Sequence, residues 1–397
     1  MHFDAIGRVP GDPILGLMEA YAQDSNPRKF DLGVGVYKDA QGLTPIPEAV
    51  KMAEARLVES QDTKTYIGGH GNPLFGKVIN ELVLGADSQL ITEQRAGATQ
   101  TPGGTGALRL AADFIAQCLP GKGVWLSNPT WPIHETIFAA AKFKVSHYPY
   151  VGSDNRLEVE AMLAVLKEVP KGDVVLLHAC CHNPTGFDLS HDDWKRVLEV
   201  VRSRDLLPLI DFAYQGFGDG LEQDAWSTRL FAAQLPELLI TSSCSKNFGL
   251  YRDRTGALIV CATSADKLID IRSQLANIAR NLWSTPPDHG AAVVATILAD
   301  PELKARWADE VEAMRLRIAQ LRSGLVEALE PHGLRERFAH IGVQRGMFSY
   351  TGLSPEQVKN LREQHSVYMV SSGRANVAGI DATRLALLAD AIADACK

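Results

Sequence analysis

Five short apolar runs divide the middle of the chain, at 123–127, 173–179 (DVVLLHA), 206–212 (LLPLIDF), 238–242 (LLITS) and 256–262 (GALIVCA). Each is long enough for one strand and too short for a helix of ordinary length. DVVLLHA has no polar alternation, which is the pattern of a strand buried on both faces. Between the runs lie stretches such as 192–204 (DDWKRVLEVVRSR), with apolar residues at helical spacing. Strands alternating with helices predict a mostly parallel sheet covered on both sides. The last third differs. Residues 301–329 predict one long charged amphipathic helix, short strands are expected near 348–350 and 367–370, and a final helix follows Asp381. The first forty residues read as turn-rich. A large α/β domain with a smaller domain built from the C-terminal third and the N-terminal arm accounts for the 397 residues.

Composition narrows the function. At 46% hydrophobic and 22% charged the chain is globular. Lys+Arg 40 against Asp+Glu 47 gives a net charge of −7, which argues against a nucleic-acid partner. No apolar run reaches the ~20 residues of a membrane helix. The N-terminus lacks a charged-then-apolar leader pattern. Six scattered cysteines fit a reducing cytoplasm better than a disulfide framework. The adjacent Cys180 and Cys181 beside His182 have no second CxxC or HxxxH pair, so buried thiols are the reading and no metal is expected.

Ligands of open α/β sheets bind beyond the carboxyl ends of the strands. After DVVLLHA come Asn183 and Pro184; after LLPLI come Asp211 and Tyr214; after LLITS come Ser243 and Lys246. These three endings would converge on one crevice. Lys246 is either a solvated lysine or a partly desolvated nucleophile for carbonyl groups. Asp211 either caps the next helix or pairs with a cation such as a protonated pyridine nitrogen. Tyr214 either packs or reaches the same ring. The segment TPGGTGALR at 101–109 opens a helix whose N-terminus either is capped by a glycine turn or holds a phosphate. It lacks the Lys-Ser/Thr of a triphosphate loop, and Arg109 replaces the last glycine of a dinucleotide loop. A phosphate monoester fits best, with Thr105, Ser243 and Arg254 as further donors. Trp131 is either a core residue or a stacking plate. Arg280 and Arg374 either form surface ion pairs or fork onto carboxylates.

With these pieces together, the chain resembles the class I aminotransferases of the aspartate/aromatic type, pyridoxal-phosphate enzymes of fold type I. The resemblance runs end to end, through GVGVYKD at 33–39, TPGGTGA at 101–107, SNPTWP at 127–132, CHNPTG at 181–186, DFAYQG at 211–216, SSCSKNFGLY at 242–251, RGMFS at 345–349 and SGR at 372–374. It implies a large domain with a mostly parallel seven-stranded sheet flanked by helices and a smaller α+β domain. The expected boundaries are 1–44 for the arm and part of the small domain, 45–313 for the large domain, and 314–397 for the small one.

The resemblance also implies roles. Lys246 would carry pyridoxal 5′-phosphate covalently and shuttle a proton. Asp211 would pair with the ring nitrogen, backed by His134 and His178. Asn183 and Tyr214 would bind the phenolic oxygen, and Trp131 would stack on the ring. Gly104, Thr105, Ser243 and Arg254 would hold the phosphate, with Tyr66 from the other subunit of a homodimer. Arg374 with Gly35 and Asn183 would take the substrate α-carboxylate, and the neighbour's Arg280 a distal one. The implied reaction is ping-pong transfer of an amino group to a 2-oxo acid, 2-oxoglutarate foremost. Lys38 and Thr44 resemble the aspartate-preferring pattern. Thr285, where asparagine is usual, and the RGMFSY segment at 345–350 resemble aromatic members. The reading is an aromatic aminotransferase that also accepts aspartate and glutamate, with a plain aspartate aminotransferase as the alternative. A lyase on the same fold would not need Arg280, and the basic helix-turn-helix segment expected of a non-catalytic regulator does not appear in these residues.

Overall fold

The computed structural model describes residues 1–8, 11 and 13–397. The chain packs as two compact units. The larger comprises Thr44–Arg317 with Gln344–Gly346; the smaller comprises Met1–Leu43, Ile318–Val343 and Met347–Lys397. Among the described residues no helix is long and apolar enough to cross a membrane.

The larger unit is built on seven strands: β1 (Ala96–Pro102), β2 (Val124–Asn128), β3 (Val145–Pro149), β4 (Val174–His178), β5 (Leu207–Phe212), β6 (Leu238–Ser243) and β7 (Thr255–Cys261). Their order across the sheet is β1-β7-β6-β5-β4-β2-β3. β7 runs antiparallel to both of its neighbours, and the pairs from β6 to β3 are parallel. Every residue of β4, β6 and β7 is buried, as their unbroken apolar runs require. β1 (AGATQTP) was not legible as a strand, because its threonines and glycine carry little apolar signal. It therefore shortens the expected helix, which begins at Gly103 rather than Thr101. Helices Gly103–Cys118 and Ala265–Trp283 pack Leu108, Phe114, Ile115, Leu275 and Ile278 against Leu126, Leu176, Leu209 and Leu258 of the sheet.

Local signals set the helix starts. Ser190 and Asp193 form a capping box at the head of His191–Ser203, which turns Trp194, Val197, Leu198 and Val201 inward. Asn72 caps Pro73–Leu84 by accepting from the Leu74 and Phe75 N–H groups, with Pro73 at the first position.

The smaller unit has its own core, formed by Phe30, Leu32, Leu321, Leu325, Phe338, Val358, Leu361, Val377, Leu388 and Ile392. Two short strand pairs lie in it: Phe30–Asp31 beside Val367–Tyr368, and β8 (Phe348–Tyr350) antiparallel to β9 (Arg374–Asn376). The turn-rich N-terminal expectation missed helix Pro13–Gln23, whose Leu15 and Met18 are exposed and whose interior Gly16 weakens the helical signal.

The long helix Pro301–Ala328 is continuous. In its first half Trp307 is almost fully buried and stacks on Phe248 at 4.4 Å, while its Nε1 donates to the Asn247 carbonyl at 2.8 Å. It thus braces the loop that follows Lys246. Trp307→Ala is expected to destabilise the larger unit by about 3–5 kcal/mol, read from urea melts; a loss below about 1 kcal/mol would show that the loop is held by other contacts.

Candidate active site

Strand register brings the three polar endings together. β4 pairs His178 with Asp211, and β6 pairs Thr241 with Asp211. The Asp211 Oδ2 faces His134 Nε2 at 3.1 Å, and Thr241 Oγ1 donates to Oδ1 at 3.0 Å. The Thr130 hydroxyl lies between the two imidazoles, 2.9 Å from His134 Nδ1 and 3.3 Å from His178 Nε2. These bonds are mutually consistent when His178 Nε2–H donates to Thr130, Thr130 donates to His134 Nδ1, and His134 Nε2–H donates to the carboxylate. Burial by itself would raise the Asp211 carboxyl. The His134 hydrogen bond, the electrostatic influence of the two imidazoles and the Thr241 hydroxyl outweigh it and hold the group below the usual carboxylate range. Burial pushes His178 down to about 3, so it stays neutral. The result is a fixed, enclosed negative charge at a strand end, the feature required to keep a heteroaromatic nitrogen protonated.

Beside it, Asn183 Nδ2 donates to the Tyr214 hydroxyl at 3.4 Å. Asn183 Oδ1 is buried and has no hydrogen-bond partner among the described residues. An orphaned buried acceptor is costly, which points to a ligand donor at this place. Lys246 Nζ lies 4.4 Å from the centre of the Tyr214 ring. Its ammonium is largely enclosed, and burial lowers it to about 8, with Asp211 opposing and Arg254 assisting. A neutral amine near physiological pH is a nucleophile for an aldehyde.

The anion cradle follows from the neighbouring strands toward the β1 side of the sheet. The antiparallel register sets Pro102 against Thr255 and Ser243 against Gly256, so Gly103, Ser243 and Arg254 meet at one edge. Gly103 has φ +72°, and a Cβ there would come within 2.6 Å of Arg254 Nη2; one on Gly104 would lie 3.1 Å from the Ser243 Cβ. Side chains at these positions would fill the space. The Arg254 Nη1 donates to Ser245 Oγ and the Tyr251 carbonyl, neither of which is an acid. Thr105 is exposed in the first helical turn. Free N–H groups, glycines and an arginine suit a phosphate monoester. Trp131 precedes helix Pro132–Ala140 and sets its ring at right angles to His134, 5.3 Å away.

In the smaller unit Arg374 is buried. Its Nη2 donates to the Gly33 carbonyl at 3.0 Å, and its guanidinium lies 4.3 Å from the Phe348 ring centre. The Asn376 amide donates to the carbonyls of Val34 and Val36, which fixes the loop around Gly35. Two predicted site residues stay outside these groups: Tyr66 is 92% exposed, and Arg280 faces solvent in the last turn of its helix.

Sequence reasoning missed Thr130, Thr241 and Phe348. Only the strand register identifies Thr241, because its neighbour Asp211 is thirty residues away. Cys180, Cys181 and Asp224 have ligand atoms within 4.8 Å of one another. Asp224 accepts from the N–H groups of Gly216, Gly218 and Asp219, and burial pushes the Cys180 thiol up.

Known proteins share this architecture. Residues 27–392 match the family model for aminotransferase class I and II. The chain is 74% identical to the aromatic-amino-acid aminotransferase of Pseudomonas aeruginosa, over 100% of this chain and 99% of that one. It is 47% identical to the aspartate aminotransferase of Escherichia coli, over 98% and 99%. A solved structure of the aromatic-amino-acid aminotransferase from Burkholderia pseudomallei, covalently bound to pyridoxal phosphate, superposes with a TM-score of 0.98 at 44% identity over the full length of both chains. By sequence along nearly all its length and by fold, this chain belongs to the class I and II aminotransferases.

Proposed function

We propose that the protein is a pyridoxal-phosphate-dependent aminotransferase that takes the amino group from phenylalanine, tyrosine, aspartate or glutamate and passes it to 2-oxoglutarate. The convergence of Lys246, Asp211 and the Asn183–Tyr214 pair beyond the ends of three adjacent strands carries the reading. The aromatic preference rests on the 74% identical relative. A mainly dicarboxylate preference is the second reading, favoured by Arg280, Lys38 and Thr44 and by the aspartate aminotransferases among the relatives.

The residues present fit the cofactor: an orphaned acceptor at Asn183, an enclosed carboxylate at Asp211, and a glycine-lined cradle beside Arg254. When bound, pyridoxal phosphate supplies an electron sink for the pair left at a substrate Cα after proton loss. Gly104, Thr105, Ser243 and Arg254 would hold its phosphate. Trp131 would stack on the ring, and Asp211 would keep a proton on the ring nitrogen. The Asn183 amide and Tyr214 hydroxyl would donate to the phenolic oxygen. Lys246 Nζ would hold the cofactor at its aldehyde carbon, and its free amine would carry the proton between the substrate Cα and that same carbon. Arg374, with Gly35 and Asn183, would receive the α-carboxylate. Tyr66 and Arg280 reach solvent in the single chain, which supports a homodimer in which each subunit lends them to the other's phosphate and distal carboxylate. The six free cysteines support a cytoplasmic setting.

Lys246→Ala is expected to abolish transamination of phenylalanine with 2-oxoglutarate and to remove the borohydride-fixed cofactor adduct from the mass spectrum; substantial residual turnover would overturn the assignment. Burial favours the neutral amine above pH about 8, and only that form attacks an aldehyde. Covalent capture of pyridoxal phosphate by cofactor-free protein should therefore accelerate with rising pH through an inflection near 8. A rate flat between pH 6 and 9, on the order of three pH units, would remove the lysine titration from the account. Arg280→Asp is expected to lower the specificity constant for aspartate by about a hundredfold and that for phenylalanine by less than about tenfold. Equal losses would exclude a distal-carboxylate role.

A further inference from the structure

A second arginine lies inside the smaller unit. Arg322, in the later half of helix Pro301–Ala328, is only 2% exposed. Its Nη1 donates to the Ile341 carbonyl at 3.2 Å and to Ser349 Oγ at 2.5 Å, and its Nη2 donates to the Phe348 carbonyl at 2.6 Å. A guanidinium keeps its charge, and its burial is tolerated only where fixed acceptors take up its N–H groups. These acceptors tie three elements together: the long helix, helix Arg335–Val343 and β8.

β8 in turn supports the carboxylate-binding arginine. It pairs with β9 in the register Phe348 to Asn376, Ser349 to Ala375 and Tyr350 to Arg374. The Phe348 ring lies beneath the Arg374 guanidinium, and a Cβ on Gly35 would come within 2.7 Å of the tip of that ring. The ring is thus wedged between the Gly35 backbone and the guanidinium. Two of the Arg322 bonds hold the Phe348 carbonyl and the Ser349 hydroxyl, so they set the height and tilt of this aromatic floor. A bidentate fork is sensitive to such shifts because both of its N–H vectors must meet one carboxylate.

We propose that Arg322 is a positioning residue: by gripping the Phe348 carbonyl and the Ser349 hydroxyl it fixes the ring under Arg374, and so governs recognition of the substrate α-carboxylate without touching the substrate. This rests on the assignment of Arg374 to that carboxylate. The test compares holoenzyme carrying Arg322→Met, Arg322→Lys or Ser349→Ala with the parent. Calorimetry measures the Kd of 3-phenylpropionate, which has the carboxylate but no amine. Single-turnover absorbance measures the rates with phenylalanine and with phenethylamine, which lacks only the carboxylate. The Arg322 variants should weaken 3-phenylpropionate about tenfold and slow phenylalanine by a similar factor, with phenethylamine changed by less than about twofold. Ser349→Ala, a small change, should shift the same ratio in the same direction and decides the matter if Arg322→Met does not fold. Equal losses with both amines, or unchanged 3-phenylpropionate affinity in a folded variant, would overturn the proposal. Arg374→Lys is measured alongside. If it leaves the phenylalanine-to-phenethylamine ratio intact, the Arg374 assignment falls and the positioning proposal with it. If that ratio collapses for Arg374→Lys but holds for the Arg322 and Ser349 variants, the Arg322 proposal alone falls.

Discussion

A buried carboxylate held ionised is the constraint around which the larger unit is organised. Asp211 ends a strand in the middle of the sheet, where burial favours its neutral form. Its charge survives because His134 and Thr241 hydrogen-bond to it, while Thr130 links His134 to His178 behind them. These side chains come from different elements: β6 supplies Thr241, β4 ends in His178, and helix Pro132–Ala140 carries His134. Removing one would leave a charge inside low-dielectric surroundings with fewer compensating dipoles. The neighbouring lysine feels the same charge. Asp211 moderates the fall in the Lys246 pKa that burial causes, so the two groups are tuned together.

Close backbone approach does comparable work at the anion cradle. A Cβ at Gly256 would lie 2.6 Å from both the Gly103 carbonyl carbon and the Ser242 carbonyl oxygen, so β1, β6 and β7 can meet there only with glycine. That packing delivers the head of helix Gly103–Cys118, Ser243 and Arg254 to one corner. The smaller unit solves a similar problem with an aromatic ring. Phe348 supports the Arg374 guanidinium from below while Gly33 accepts from its edge, leaving little rotational freedom to the arginine. In both places a cation is oriented before any ligand arrives, which lowers the ordering cost of binding.

Much of the chemistry was legible from local pattern. Asn183, Asp211, Tyr214 and Lys246 stand out because each follows an unbroken apolar run, and strand ends of parallel sheets are where ligands gather. The segment at 101–107 was open to a glycine cap or an anion site, and only its resemblance to a known family pointed to a particular ligand. Other parts gave no such signal. β1 hid because Thr and Gly read as turn residues, although hydrogen bonding to β7 makes them an edge strand. Thr241 and Phe348 look like ordinary strand residues, and their partners lie thirty and twenty-six residues away. Arg322 looks like one more charge on an amphipathic helix until its burial is seen.

The amino-acid order alone determined the alternation of strands and helices, the polar groups at the strand ends and the family of the chain. These depend on neighbours within a few residues, through periodicity, caps and turns. Only the tertiary structure decided which groups face one another: the hydroxyl between His134 and His178, the second bond to Asp211, the ring beneath Arg374. Those contacts follow from strand order and register, and register is set by burial of whole faces at once, a property that no short stretch of sequence contains.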